Sequence, residues 1–375
     1  MKVAIIHDHL AQMGGAEKVL QVLQEMYPEA PIYTLLYDKE NIKKNFPNSD
    51  IRPSIIQKLP GSLRHYKWYM PFMPMAIEFC DLRDFDLIIS SASAFAKGVI
   101  TSPDSLHVCY CHTPTRYLWS DTHQYVNELK YNKYFKKIIS LILNYVRMWD
   151  RLAADRVDVF VANSKTVQKR IKKYYKRDSE IIYPNIEDDV FYISEKQEDY
   201  FLTGCRLVPY KRNDIAIEAF KKLNQDSDKK YKLKIFGDGI DKERLEELAK
   251  DDKNIEFLGR VSNDERNRLY SKCSAFINPQ REDFGITMVE AMASGRPVIA
   301  LNQGGATETV VEGETGIFFN EESADSIIHA IKRFDTASWH PEKIREHALR
   351  FSKANFTREL KALINKEWEK HKGGD

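Results

Sequence analysis

The sequence predicts an α/β protein made of two doubly wound domains. Three observations carry that expectation. The chain has 375 residues, enough for two domains at about 150 residues each. Short apolar, β-type runs recur with helical stretches between most of them, the pattern of a parallel sheet covered on both faces. The series breaks in a polar segment near residue 190 and then begins again.

Residues 1–7 read as a buried strand, and Gly14-Gly15-Ala16-Glu17 as a turn opening a helix, the start of a doubly wound unit. Runs at 86–90, 106–110 and 157–163 continue the first sheet. Residues 66–75 are rich in aromatics and Met, and 130–147 are basic, aromatic and apolar over one helix length. Either stretch can pack on the first domain or lie in the interface of an anionic bilayer. The pattern fails around 180–186, and an acidic segment running to Tyr200 reads as a linker. Runs at 200–204, 231–237, 255–259, 275–279 and 297–300 form the second series. Residues 352–370 are helical in pattern and carry Phe356, Leu360, Leu363, Ile364 and Trp368.

Composition narrows the function. Hydrophobic residues at 43% and charged residues at 30% describe a globular protein with sizeable cores, and a net charge of +2 gives no bulk field for nucleic acid. The five cysteines (Cys80, Cys109, Cys111, Cys205, Cys273) are odd in number and scattered, and no signal-peptide pattern precedes the first strand, so a reducing cytoplasm is expected. No apolar run approaches the ~20 residues that span a bilayer, so any membrane is met from the side.

The most informative segment runs from Gln280 to Ala300. It sets Glu282 and Glu290 around a Phe284-Gly285 turn and a helix start, where the N–H groups of Ile286, Thr287 and Met288 are expected to be unpaired and to seat phosphate oxygens. Carboxylates there can grip sugar hydroxyls, which suits a nucleotide sugar. The segment resembles the Glu-x7-Glu signature of retaining glycosyltransferases of family 4. By that resemblance Glu290 binds the ribose and Glu282 contacts the hexose beside the scissile bond. Upstream, a Pro-containing turn between Arg206 and Lys211 can aim both cations at a diphosphate, like the pair that holds the donor pyrophosphate in the family. Gly237-Asp238-Gly239 ends a strand where open sheets bind ligands. Gly259-Arg260-Val261-Ser262 resembles the family segment whose backbone reads the nucleobase; guanine and uracil stay open here. Gly304 and Gly305 precede a helix and are expected to form an anion seat.

On the first domain, the loop carrying Gly14 and Gly15 does not complete a dinucleotide fingerprint; in the family it approaches the donor phosphates. Residues 109–119, Cys-Tyr-Cys-His-Thr-Pro-Thr-Arg-Tyr-Leu-Trp, resemble the His-Thr-Pro-x-Arg-Tyr-x-Trp segment of a subgroup that builds bacterial surface polysaccharides, many of them mannosyltransferases. His112 is then a partner of the transferred sugar, with Thr113, Arg116, Tyr117 and Trp119 around the acceptor or behind the site. A zinc site from His107, Cys109, Cys111 and His112 is disfavoured because strand alternation sets His112 on the opposite face. Asp84/Asp86 and Asp226/Asp228 look incidental, the first pair because Asp86 begins a buried strand and the second because it lies in a polar loop. No metal is expected, since Arg206 and Lys211 can neutralise the leaving diphosphate.

The resemblance implies two Rossmann-like domains facing across a cleft, the GT-B architecture, with residues 1–190 plus a helix at about 352–375 crossing back, and 191–351 as the nucleotide-sugar domain. It implies front-side transfer with retention and no cofactor beyond the donor, for which GDP-mannose is the expectation. The expected acceptor is a saccharide, free or linked to a polyprenyl diphosphate, at the cytoplasmic face of a membrane. A UDP-sugar donor and a non-catalytic nucleotide-sugar-binding protein remain the alternatives.

Overall fold

The computed structural model describes residues 1–129 and 131–373. Lys130 of the basic stretch and positions 374–375 of the expected terminal span lie outside the described residues. The chain divides into two units: Met1–Pro184 together with the chain from Phe356 onward, and Asn185–Asn355.

Among the described residues, unit 1 holds a seven-stranded sheet built from β1 (Val3–His7), β2 (Ile32–Thr34), β3 (Ile51–Pro53), β4 (Leu87–Ala92), β5 (Leu106–Cys111), β6 (Val159–Ala162) and β7 (Glu180–Ile181). Every pairing is parallel, in the order β3-β2-β1-β4-β5-β6-β7. The order reverses between β1 and β4, and the carboxyl ends at such a switch point form the ligand crevice of an open α/β sheet. Ile5, Ile6, Ile88, Ile89 and Val108 are fully buried, as strands covered on both faces require. Helix α1 (Gly15–Met26) starts with the return half of a capping box: the Glu17 carboxylate reaches back to accept from the Gly14 amide at 2.8 Å, and Val19, Leu20, Val22 and Leu23 turn inward.

The basic stretch becomes helix α2 (Lys133–Ala153), capped by the Asn132 side chain, which accepts from the Tyr134 and Phe135 amides. Leu143, Val146, Asp150 and Ala153 face the core. Tyr134, Ile138, Leu141, Tyr145, Met148 and Leu152, spaced three or four residues apart, form an exposed apolar stripe.

Unit 2 holds a six-stranded parallel sheet, β10-β9-β8-β11-β12-β13, with β8 at Phe201–Gly204, β9 at Leu233–Phe236, β10 at Ile255–Gly259, β11 at Ala275–Asn278, β12 at Val298–Leu301 and β13 at Gly316–Phe319. Its switch point lies between β8 and β11. Helices α3 (Asn213–Asp226) and α4 (Ile286–Ala293) follow those two strands through their loops. The last helix, α5 (Lys353–Gly373), sends Phe356, Leu360, Leu363 and Ile364 into the core of unit 1 beside Ile5, Val108 and Tyr110.

Several boundaries differ from the sequence reading. Glu180 and Ile181, expected to begin the linker, pair with Val161 and Ala162 as an edge strand. The acidic segment after Pro184 is not a free linker: Arg345 donates to the Phe191 carbonyl at 2.6 Å, and Arg296 donates to the Ser194 carbonyl at 3.2 Å and to Gln197 at 2.9 Å. Two guanidiniums on backbone oxygens hold it against unit 2. Asp226 closes α3 rather than lying in a loop, and Asp86 precedes β4, where it accepts from the Lys2 amide at 2.6 Å.

Candidate active site

In unit 2 the loop after β8 makes a short 3-10 turn, Pro209–Lys211, and Arg212 takes the left-handed conformation (φ 50°) before α3. The turn delivers the Lys211 ammonium onto the Glu282 carboxylate; the same oxygen of Glu282 accepts from Gln280 Nε2 at 2.9 Å. Burial works against the lysine charge, but the Glu282 carboxylate more than offsets it, so the Lys211 pKa is raised and the ammonium is kept. Arg206 is seated differently: it is exposed, with its guanidinium donating to the Tyr210 hydroxyl at 3.1 Å.

The glycines of the Gly237-Asp238-Gly239 turn, placed at the ligand edge of the sheet, do steric work first. Gly237 (φ 120°) lies where a Cβ would sit 1.9 Å from the Cys205 carbonyl oxygen, and at Gly239 it would sit 2.0 Å from that of Leu207. The close approach lets Leu207 N–H reach the Asp238 carbonyl at 2.9 Å and Gly237 N–H reach Gly259 at 2.7 Å, locking the ends of β8, β9 and β10 together. Asp238 lies 3.2 Å from the exposed Arg260 guanidinium, and Val261 beyond it is half-buried.

Helix α4 opens on Gly285 in the left-handed conformation (φ 87°), behind the buried Phe284 ring packed on Phe351. Ile286 and Thr287 begin the helix as expected, but the Met288 amide is already bonded to the Gly285 carbonyl at 3.0 Å and is not an open donor. Glu290 is 3% exposed, and the Tyr270 hydroxyl donates to it at 3.3 Å. The expected anion seat at Gly304-Gly305 also changes role. The Gly305 amide donates to the Glu282 carbonyl at 2.8 Å, and the Thr307 and Glu308 amides close onto Gly304 and Gly305. A Cβ at Gly304 would meet the Glu282 oxygen at 2.2 Å, and one at Gly305 the Phe284 oxygen at 2.2 Å. The pair is a brace that fixes the backbone carrying Glu282 and Phe284.

In unit 1 the carboxyl ends of β1, β4 and β5 gather four polar side chains. Asp8 accepts four backbone N–H bonds, from Ser93, Ala94, Phe95 and Ala96 at 2.6–2.8 Å, tying the β4 loop to β1. Beside it His112 Nε2 lies 2.8 Å from Ser91 Oγ, which lies 3.1 Å from His7 Nδ1; His7 Nε2 lies 3.6 Å from Glu17. Burial pushes the His112 pKa down to about 4, so its imidazole is neutral near pH 7. Glu17 keeps its charge: burial would raise its pKa, and its contact with His7 outweighs that.

The rest of the 109–119 segment is anchored inward. The Asp150 carboxylate accepts from Trp119 Nε1 at 2.7 Å, from the Thr115 hydroxyl at 3.2 Å and from the Tyr175 hydroxyl at 3.0 Å, and it pairs with buried Lys97. Thr113 accepts from Arg170 at 2.9 Å, and Arg116 pairs with Asp121 at 2.7 Å. Trp119 and Thr113 therefore support the loop, whereas Tyr117 lines a cavity of about 250 Å³ with Asp8, Leu35, Leu36, Tyr66 and Met70. The loop of Gly14 and Gly15 caps α1 at the same edge of the sheet.

Among the described residues no three His, Cys, Asp or Glu side chains gather as a metal site. His107 is bonded to Ser90 at 2.8 Å, and Cys109 and Cys111 are packed in the core.

Two parallel sheets with helices and a ligand-type switch point in each define a two-domain α/β protein of the GT-B class. The family profile described as Glycosyltransferase Family 4 matches residues 13–190, and that described as Glycosyl transferases group 1 matches residues 185–351. The chain belongs to glycosyltransferase family 4, resembles its bacterial mannosyltransferases, and is a hexosyltransferase. It is 27% identical over 379 residues to an alpha-1,3/1,6-mannosyltransferase of Dictyostelium discoideum, covering 85% of this chain and 86% of that one. It is 32% identical over 200 residues to the O-antigen chain mannosyltransferase of Salmonella typhimurium (51% and 55% covered). It is also 35% identical over 137 residues to a GDP-mannose-dependent phosphatidylinositol monomannoside mannosyltransferase of Mycobacterium tuberculosis (34% and 35% covered). Among solved structures, Anabaena HepE with UDP-glucose shares the fold with a TM-score of 0.70 at 18% identity, covering 98% of this chain and all of that one.

Sequence reasoning did not find His7, Asp8, Ser91, Tyr270 or Gln280. His7 and Ser91 are 84 positions apart, and Tyr270 reaches Glu290 across 20. Their one local signal is a polar residue at the end of an apolar run, as in Ile6-His7-Asp8 and Ile89-Ser90-Ser91.

Proposed function

We propose that the protein transfers mannose from GDP-mannose, with retention at the anomeric carbon, to a saccharide carried on a lipid diphosphate. The observation that carries this reading is the Lys211–Glu282 ion pair, held by Gln280 and the Gly304-Gly305 brace at the switch point of the unit 2 sheet. A donor diphosphate would compete with Glu282 for Lys211 and gain Arg206, which is exposed for that purpose. Glu290, buried on α4, suits the ribose hydroxyls, and the Glu282 carboxylate freed from Lys211 suits the hexose. Asp238, Arg260 and Val261, with the glycine loop of residues 14 and 15, would line the rest of the donor. In the transfer the C1–O bond to the diphosphate breaks, a C1–O bond to the acceptor hydroxyl forms on the same face, and the hydroxyl proton passes to the departing phosphate oxygen. The protein contributes position and charge.

The mannosyl assignment is supported by the names of the three mannosyltransferase relatives, one of which is GDP-mannose-dependent. The acceptor side is supported by the cavity beside Tyr117, whose wall is largely apolar. Attachment to the cytoplasmic face of an anionic membrane is supported by α2, where the exposed apolar stripe is flanked by Lys133, Lys136 and Lys137 and the one acid of the helix, Asp150, is buried. No helix among the described residues is long and apolar enough to cross a membrane.

Calorimetric competition of GDP, UDP and ADP without added metal, followed by anomeric NMR of the product formed from GDP-mannose, tests the reading. GDP preference and an α-linked product are expected. UDP preference would replace the donor, and no nucleotide binding would remove the catalytic assignment. Liposome co-sedimentation unchanged by Lys133→Glu, Lys136→Glu and Lys137→Glu together would remove the membrane contact.

A further inference from the structure

We infer that Glu17, His7 and Ser91 are positioning residues that fix the tautomer of His112, holding its proton on Nε2 and turning the Nδ1 lone pair toward the transferred sugar. The four side chains form one line across the carboxyl ends of β1, β4 and β5. Glu17 Oε1 lies 3.6 Å from His7 Nε2, His7 Nδ1 lies 3.1 Å from Ser91 Oγ, and Ser91 Oγ lies 2.8 Å from His112 Nε2. Glu17, His7 and Ser91 are each at most 5% exposed, so bulk water does not substitute for any of these partners.

The direction of the line follows from its charged end. The first gap is too long for a formed hydrogen bond, but a carboxylate facing a ring nitrogen repels a lone pair and attracts an N–H, so a singly protonated His7 carries its proton on Nε2. His7 Nδ1 is then an acceptor and takes the Ser91 hydroxyl proton. The Ser91 oxygen in turn accepts from His112 Nε2–H. That leaves a lone pair on His112 Nδ1, which has no hydrogen-bond partner among the described residues. A neutral imidazole presenting an acceptor can orient a sugar hydroxyl, whereas the other tautomer would present a donor. The Gly14 amide adds a second constraint, because it donates to Glu17 Oε2 at 2.8 Å and fixes which carboxylate oxygen faces His7.

This constraint makes one substitution diagnostic. In Glu17→Gln the Gly14 N–H holds the amide oxygen, so the amide NH2 faces His7 Nε2. A donor there requires a lone pair on Nε2, which moves the His7 proton to Nδ1, reverses the Ser91 hydroxyl, and moves the His112 proton to Nδ1. The test uses full-length protein labelled with 15N-histidine, the His112 ring signals being assigned by their loss in His112→Gln. Wild type is expected to show a protonated Nε2 and an unprotonated Nδ1 on His112, and Glu17→Gln the reverse pattern. The consequence for turnover rests on the placement of the sugar against His112 made above; there kcat is expected to fall roughly 10- to 100-fold with the donor KM within about 2-fold of wild type.

A wild-type His112 protonated on Nδ1, or a pattern unchanged in Glu17→Gln, overturns the inference whatever the activity. A reversed pattern with full activity upholds the line and removes instead the contact between His112 and the sugar. Should Glu17→Gln fail to fold, Ser91→Ala supplies the same readout: the link is cut, and His112 should show mixed tautomers, whereas an unchanged single tautomer would overturn the inference.

Discussion

Replacing Asp150 by asparagine removes one charge from the core of unit 1 with almost no change in volume. The carboxylate pairs with Lys97 and accepts from Thr115, Trp119 and Tyr175, and both ends of the ion pair are about 1% exposed. In Asp150→Asn the Lys97 ammonium keeps the Ala94 carbonyl at 2.6 Å and the Tyr175 ring face at 5.1 Å, neither of which carries a full negative charge. Breaking a buried pair by removing one partner costs about 3–5 kcal/mol. For a unit of this size that lowers the melting temperature by roughly 6–20 °C. Tryptophan fluorescence during urea or thermal unfolding reads the change, since Trp119 and Trp149 lie beside the pair. The double variant Lys97→Met/Asp150→Asn leaves no buried charge and should recover about 2 kcal/mol relative to Asp150→Asn. A loss below about 1 kcal/mol in the single variant, or no recovery in the double, would refute the claim that the uncompensated lysine charge is the cost.

Other expectations follow from the same structure. Gly304→Ala and Gly313→Ala share a left-handed backbone (φ 63° and 78°), but a Cβ at Gly304 meets the Glu282 carbonyl while at Gly313 it meets nothing within 4 Å. Chemical denaturation should therefore show a loss of about 1 kcal/mol for Gly313→Ala and about 2–4 kcal/mol for Gly304→Ala, and equal losses would argue against the brace. Glu290→Ala should raise the donor KM about 10- to 100-fold and Glu282→Ala should mainly lower kcat, steady-state kinetics with varied donor deciding whether the two roles separate. Burial pushes the pKa of both His107 and His112 down to about 4, so between pH 6.5 and pH 4 the unfolded chain binds more protons and stability falls on acidification. The slope should be about 1.4 kcal/mol per pH unit for each histidine. His107→Asn should remove about one proton from that dependence in urea titrations between pH 7 and pH 4.5, and an unchanged slope would show that His107 is not buried neutral.

Most elements legible in the sequence were those whose burial is nearly continuous. β1, β4, β5, β6, β8, β9, β11 and β12 read as apolar runs because both sheet faces are covered, whereas β10 was read although only Ile255 in it is buried, and the largely buried β13 was not read. β2 is buried but has only three residues, too few to stand out as a run; β3 is a largely exposed Ile-Arg-Pro and β7 has two residues, one exposed, and these two are held in the sheet mainly by a neighbour's backbone. Of the site, the motif residues that follow strand ends could be named, since glycine, charge and spacing are local. What they touch could not. Lys211 reads as a diphosphate ligand in the sequence, and the structure gives it Glu282, 71 positions away. Gly305 reads as an anion seat because a glycine before a helix usually offers its amide, but here that amide is spent on the carbonyl of Glu282.

Helix α5 makes unit 1 discontinuous in sequence, and this fixes an order of synthesis. Phe356, Leu360, Leu363 and Ile364 complete a core whose other buried members end at Ile182, yet the ribosome must first make all of unit 2. At about 5–20 residues per second the emerged part of unit 1 waits roughly 10–30 s with that core open, while unit 2 can close as soon as its own last residues, which end at Asn355, are free. The nascent first unit is thus the one exposed to chaperones and proteases, and slow codons within unit 2 would lengthen that exposure without altering a single side chain.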